Sequence, residues 1–113
     1  MAQMRTLKPH VRLSICNPKS GSDSEFGRGV AELCRGVDEL GSLNAAAKAM
    51  GMAYSKAWRI MRDTEEALGI KLLNRDGAHG STLTKQAHAL LGVYSSLSER
   101  LEEEARSAYR ELI

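Results

Sequence analysis

The chain has 113 residues, with 16 Lys and Arg against 14 Asp and Glu for a formal net charge of +2, and its hydrophobic content is 42%. A chain of this length folds around a single core, so any function has to fit in one small module. No apolar run approaches the roughly 20 residues needed to cross a bilayer, and the N-terminus lacks an apolar leader, so a membrane role is excluded and the cytoplasm is expected.

In chain order, His10-Val11-Arg12-Leu13-Ser14-Ile15-Cys16 alternates polar and apolar side chains, the period of a half-buried strand. Asn17 to Ser24 is rich in Gly, Pro, Asn and Ser and reads as a loop, with Ser24 or Asp23 as the cap of the next element. Phe26, Val30, Leu33, Val37 and Leu40 recur at spacings of 4, 3, 4 and 3, an amphipathic first helix that Gly41 can end. Asn44 is expected to cap a short second helix, Ala45 to Met50, closed by Gly51. A third helix should run from about Tyr54 to Leu68 and stop at Gly69. Lys71 to Arg75 and Ser81 to Thr84 flank a glycine-bearing turn and read as a hairpin. The last helix should span about Lys85 to Leu112, with Ala87, Leu90, Tyr94, Leu97, Leu101 and Ala108 on one seam. Cys16 and Cys34 belong to no CxxC or Cys/His cluster, so neither a disulfide nor a zinc site is expected, and both are read as small buried hydrophobes.

This order gives a mainly α fold with a small β wing: a winged helix-turn-helix with a long C-terminal helix. Residues 1–84 would form the winged part, with the helix-turn-helix at about 44–69 and the wing at about 71–84, and residues 85–113 the last helix.

Charge follows the same division. Residues 1–41 carry six basic and five acidic side chains, residues 42–85 seven and four, and residues 86–113 three and five, so the middle block is at +3 and the last at −2. A basic middle is suited to a polyanion.

The informative stretch is Asn44 to Gly69. Two helices that cross closely need a small residue at the crossing, which Ala47 supplies; a sharp turn favours Gly51, and Ala57 can point back into the core. An ordinary helical hairpin would satisfy the same spacing. At about 100° per residue, Met61, Thr64 and Leu68 lie within about 40° of Ala57, whereas Ser55, Arg59 and Arg62 lie on the far face with Lys56 and Trp58 at its flanks. That face is basic in its first two turns, where a helix of this kind meets base edges and phosphates. Tyr54, Ser55, Lys56, Trp58, Arg59 and Arg62 are therefore candidate DNA-contacting residues, joined by Arg75 and His79 of the wing. Trp58 also suits a packing role at the core boundary, Tyr54 suits fixing the helix start, and His79 suits a solvated turn. No paired carboxylates, nucleophile–base spacing, phosphate-cradling loop or metal cluster is recognisable, so no catalytic residue, metal or cofactor is expected and the chain is not read as an enzyme.

Gly41-Ser42-Leu43-Asn44-Ala45-Ala46-Ala47, followed by Glu65, Leu68-Gly69, Leu72-Leu73, Arg75 and Leu83-Thr84, resembles the DNA-binding domain of LysR-type regulators. Tyr54-Ser55-Lys56-Ala57-Trp58 is more similar to the corresponding stretch of the ModE-type molybdate-dependent regulators, whose N-terminal domain is also a winged helix with a leading strand. Together the two resemblances cover about residues 8–112. They imply a transcription factor that binds double-stranded DNA at an inverted repeat, as a homodimer paired through its first and last helices. The apolar seam alone is also compatible with packing on the same chain. A protein-interaction module without DNA binding is the alternative function. Three departures qualify the resemblance: Ala53 stands where both families usually place a serine cap, the wing is shorter than the ModE-type one, and no sensor segment follows the last helix. No residue corresponds to a molybdate ligand, and a small-molecule effector on this chain is not expected.

Overall fold

A computed structural model of the chain describes residues 2–75 and 80–113. A short 3-10 turn, Ala2–Thr6, opens an N-terminal arm, followed by α1 (Arg28–Leu40), α2 (Leu43–Ala49), α3 (Tyr54–Leu68), β1 (Leu73–Arg75), β2 (Ser81–Leu83) and α4 (Lys85–Leu112). This is a winged helix-turn-helix with a long C-terminal helix. The two strands pair antiparallel with Leu73 opposite Leu83 and Arg75 opposite Ser81.

The helix ends follow from glycine chemistry where the chain must reverse. Gly41 and Gly69 adopt left-handed backbone, φ 86° and 75°, and return their N–H groups to Val37 and Glu65 carbonyls. Two start signals differ from expectation. α2 is capped by Ser42, whose hydroxyl accepts from the Ala45 N–H at 3.0 Å, so Asn44 already lies inside the helix and is exposed. α1 begins after Gly27 with no side-chain cap, and neither Asp23 nor Ser24 reaches it. Phe26 precedes α1 because its backbone is engaged elsewhere: Phe26 and Ile15 exchange both N–H···O bonds, at 2.8 and 2.9 Å.

That single bridge is all that forms of the strand expected over residues 10–16. The alternation does appear as burial, with Val11, Leu13 and Ile15 half-buried and Arg12, Ser14 and Cys16 exposed. It is realised as an arm lying on helices, which rewards alternation without a ladder. Cys16 is accordingly exposed, contrary to expectation, and only Cys34 is buried.

The core gathers Phe26, Leu33, Val37, Leu43, Met61 and Leu72 around a layer of alanines. α1 and α2 approach closely within it: a Cβ on Gly36 would lie 2.6 Å from the Ala46 Cβ. α4 joins through its first half, where Tyr94 meets Phe26 edge-on at 5.6 Å and Arg35 donates to the Ser95 hydroxyl at 2.9 Å. Thr84 sets the start of that helix. Its hydroxyl accepts from the Ala87 N–H and donates to the Lys71 carbonyl, and its N–H donates to Leu72, so hairpin and helix share one residue.

The arm touches the second half of α4 at a few points. The Val11 N–H donates to the Glu102 carboxylate at 2.8 Å, His10 Nδ1 lies 3.1 Å from the same oxygen, and the Tyr109 hydroxyl donates to the Met4 carbonyl at 2.7 Å.

Gly36→Ala tests the α1–α2 contact. Alanine gains about 1 kcal/mol of helix propensity, but the overpacked crossing costs about 1–3 kcal/mol. Because both groups in conflict are fixed to backbone, the cost falls in the upper part of that range, about 2–3 kcal/mol, and a net loss of about 1–2 kcal/mol and a lower melting temperature are expected; an unchanged or raised value would disprove the close contact.

Burial raises the Cys34 thiol from its ordinary 9.0 to about 12, with Arg35 lowering and Glu65 raising it further. Since the folded value lies above the unfolded one, its contribution is complete below about pH 9 and is lost as the pH climbs toward 12. Iodoacetamide at mildly alkaline pH should therefore label Cys16 alone in the folded protein, and both cysteines in denaturant, as read by mass spectrometry.

Candidate nucleic-acid interface

The turn between α2 and α3 is built as the spacing requires. Ala47 and Ala57 are buried, Gly51 has φ 66°, and the Met52 N–H donates to the Ala47 carbonyl at 2.9 Å, closing the turn onto the end of α2. α3 is thereby held with one face inward. Ala57, Met61, Thr64 and Ala67 are buried, and the Thr64 hydroxyl satisfies itself on the Ile60 carbonyl at 2.7 Å. Ala67 joins the buried stripe, and Leu68 is half-buried against the core.

The opposite face is open. Tyr54 is 50% exposed, and Ser55, Lys56, Arg59 and Arg62 are all exposed, so five of the expected residues share one surface on the first turns of α3. Trp58 is half-buried against the core, the boundary position its angle gives. Arg62 is engaged from two sides: its guanidinium lies 5.4 Å from the centre of the Trp58 ring, and its Nε is 3.4 Å from Glu66. Arg59 has no ion-pair or hydrogen-bond partner among the described residues. Ala53 offers no side-chain cap, leaving the first N–H groups of α3 to meet an external acceptor.

The far end of α3 is tied to the hairpin by Glu65. Its carboxylate accepts from the Leu72 and Leu73 N–H groups at 2.7 and 3.2 Å. The sequence alone places Glu65 among the residues that carry the LysR-type resemblance, without this structural role. β2 is anchored at the other side by the Ser81 N–H on the Gly41 carbonyl at 3.2 Å. Gly80, at φ 101°, brings the chain so close that a Cβ there would sit 2.5 Å from the same carbonyl oxygen. Of the wing residues named above, His79 lies outside the described residues, and Arg75 is placed in β1 by its backbone. Lys48, exposed in the last turn of α2, adds a cation that the sequence reading passed over. Among the described residues no group of three or more His, Cys, Asp or Glu side chains could hold a metal ion, and no helix is long and apolar enough to cross a membrane.

Residues 31–88, from α1 through the hairpin into α4, match the family described as bacterial regulatory helix-turn-helix protein, lysR family. The fold is similar to that of the CbnR DNA-binding domain in its crystallised complex with DNA: TM-score 0.57 and 31% identity, over 69% of this chain and 92% of that one. It is also similar to CbnR, a LysR family transcriptional regulator, with TM-score 0.53 and 32% identity over 72% of this chain. The chain spans 27% of the length of that CbnR structure. No curated protein matches significantly.

Trp58 is the only tryptophan and reports on this surface. Arg62→Ala removes the cation beside its ring, so a shift in the fluorescence emission maximum is expected with the helical circular dichroism unchanged; unaltered emission would show that the stacked pair does not persist in solution.

Proposed function

The chain belongs to the lysR family of bacterial regulatory helix-turn-helix proteins, and we propose that, as a DNA-binding transcription regulator, it reads a specific inverted repeat as a homodimer. The observation that carries this reading is the exposed basic face at the start of α3, presented by a helix whose opposite face is locked into the core. In such a placement the N-terminal turns of α3 enter the major groove. Arg59 and Arg62 reach base edges or phosphates, Lys56 and Ser55 contact the backbone, and the Tyr54 hydroxyl and Trp58 flank the groove. Arg75 and His79 complete the contact from the wing. The solved complex of the CbnR DNA-binding domain with DNA supports the docking mode by similarity.

Residues 1–84 act in this reading as the DNA-binding unit and residues 85–113 as the dimerisation helix. α4 has 28 residues and is about 42 Å long, more than one small domain can cover. Val93 and Leu97 are 55% and 37% exposed on it, and Leu40 at the end of α1 is 52% exposed. A second copy would remove these side chains from water. An inverted repeat follows, because a two-fold dimer presents its two reading helices in opposite directions.

Tyr54 to Trp58 remains the part of the chain that supports a ModE-like branch within this reading. Molybdate enters as a test condition for it, with the binding reaction run in its presence and absence.

Lys56→Ala with Arg59→Ala should lower affinity for a selected duplex by about tenfold or more while the fold is retained. The wild-type affinity should fall steeply with salt and the slope should flatten in the variant, because each lost phosphate contact removes a released counterion. Mobility-shift titrations across salt concentrations measure both; a wild-type affinity indifferent to salt, or a stable protein partner with no DNA binding, would sink the proposal.

A further inference from the structure

The last turns of α4 and the N-terminal arm border a cavity of about 530 Å³ that is open to solvent on one side and lies away from the basic face of α3. Tyr109 is 24 residues beyond Lys85, about 36 Å along the helix axis. Four cations line the cavity: Arg5 and Lys8 from the arm, Arg106 and Arg110 from α4, with Leu7 and Tyr109 among its apolar walls. No acidic side chain lines it. None of the four cations has an ion pair or a side-chain hydrogen bond among the described residues. The surrounding sequence makes this unexpected, since residues 86–113 carry five acidic side chains against three basic ones. Glu102, the acidic residue placed to meet the arm, is instead occupied by the Val11 N–H and His10.

Like charges gathered around one space repel, and an anion between them relieves that repulsion while each arginine fork can donate two hydrogen bonds to a carboxylate. The volume falls in the range of small-molecule sites, in which apolar walls carry a few polar groups that orient the ligand. We propose that this cavity binds a small organic acid: a carboxylate held by Arg106, Arg110 and the arm's Arg5 and Lys8, with an aromatic or aliphatic body against Leu7 and Tyr109. Such a ligand bridges arm and helix. It would add to the hydrogen bond from the Tyr109 hydroxyl to the Met4 carbonyl that ties the start of the arm to α4. The site is independent of the DNA-reading surface, and its residues lie about one hundred positions apart in the chain, so no local sequence pattern marks it.

The test uses the whole chain and naphthalene-2-carboxylate as probe, with naphthalene-2-carboxamide as a neutral isostere and inorganic sulfate as a bare anion. Amide chemical shifts of Leu7, Lys8, Tyr109 and Arg110 should move saturably with the carboxylate at millimolar concentration. Loss of the charge in the carboxamide should weaken binding by about tenfold or more. Arg106→Glu with Arg110→Glu should abolish the shifts; Arg5→Glu with Lys8→Glu should do the same from the arm, outside the helical core, if the first pair disturbs folding. Equal binding of the carboxamide would reduce the site to an apolar crevice and overturn the proposal. So would sulfate binding as tightly as the acid. No saturable shift with the carboxylate, or movement of these amides only with duplex DNA, would likewise overturn it, the latter assigning the cluster to phosphate contact.

Discussion

The contact on which the rest of the structure depends is the crossing of α1 and α2 at Gly36 and Ala46. No side chain larger than hydrogen fits at position 36 without separating the two helices. α2 has only seven residues, too few to be stable by itself, so its orientation is whatever that crossing imposes. The turn at Gly51 then transfers the orientation to α3. The corner between α1 and α2 does a second task, because the Gly41 carbonyl accepts the Ser81 N–H and so sets where β2 begins. α3 and the wing are thus positioned from one crossing, and the small residues at the centre of the core are what allow it.

The electrostatics of α3 follow from the same arrangement. Its inward positions are alanine, methionine and threonine, so every ionisable group of the helix is pushed outward or to an edge. Among them only Glu65 is structural, holding two backbone N–H groups at the start of β1. Arg62 rests on Glu66 and Trp58, but an exposed pair four residues apart is worth about 0.3–0.5 kcal/mol. That is little against a charge-assisted hydrogen bond of about 1.5–3 kcal/mol. The pair therefore holds Arg62 in place without committing it, and an anion that approaches α3 can take the guanidinium from Glu66 at small cost. Arg59 needs no such exchange.

The sequence was legible wherever periodicity and glycine acted over a few residues. The bounds of α3, the hairpin and the whole of α4 follow from apolar spacing closed by Gly69 or opened by Thr84, and the outward face of α3 follows from simple rotation. Legibility failed where the deciding partner is remote. Alternation over residues 10–16 has the period of a strand, yet the surface that receives it is the side of α4, 91 residues from Val11 at the Glu102 contact. The cap of α2 shifted from Asn44 to Ser42 because two polar residues stand near the same helix start and only backbone geometry chooses between them. Ala67 is buried although it lies about 80° from Ala57 by rotation, because its small side chain fits beside the stripe that Leu68 continues. Cys16 was misplaced because its exposure depends on which side of the arm meets the helices.

The arm also bears on how α4 can be shared. Its bonds to Glu102 and Tyr109 lie in the second half of the helix, whereas Val93 and Leu97 are exposed in the first half. Val93, Ser96, Leu97 and Arg100 border a shallow groove of their own, which no arm residue lines. At about 100° per residue, Leu97 and Val93 lie about 60° and 100° to one side of Tyr94, whereas Glu102 and Tyr109 lie about 80° and 60° to the other. A partner helix can therefore approach the Val93 side while the arm stays on its own side. Dimerisation and occupancy of the cationic cavity are not mutually exclusive by geometry. Any influence of one on the other has to pass along the helix itself, whose first turn is the one held to the hairpin by Thr84.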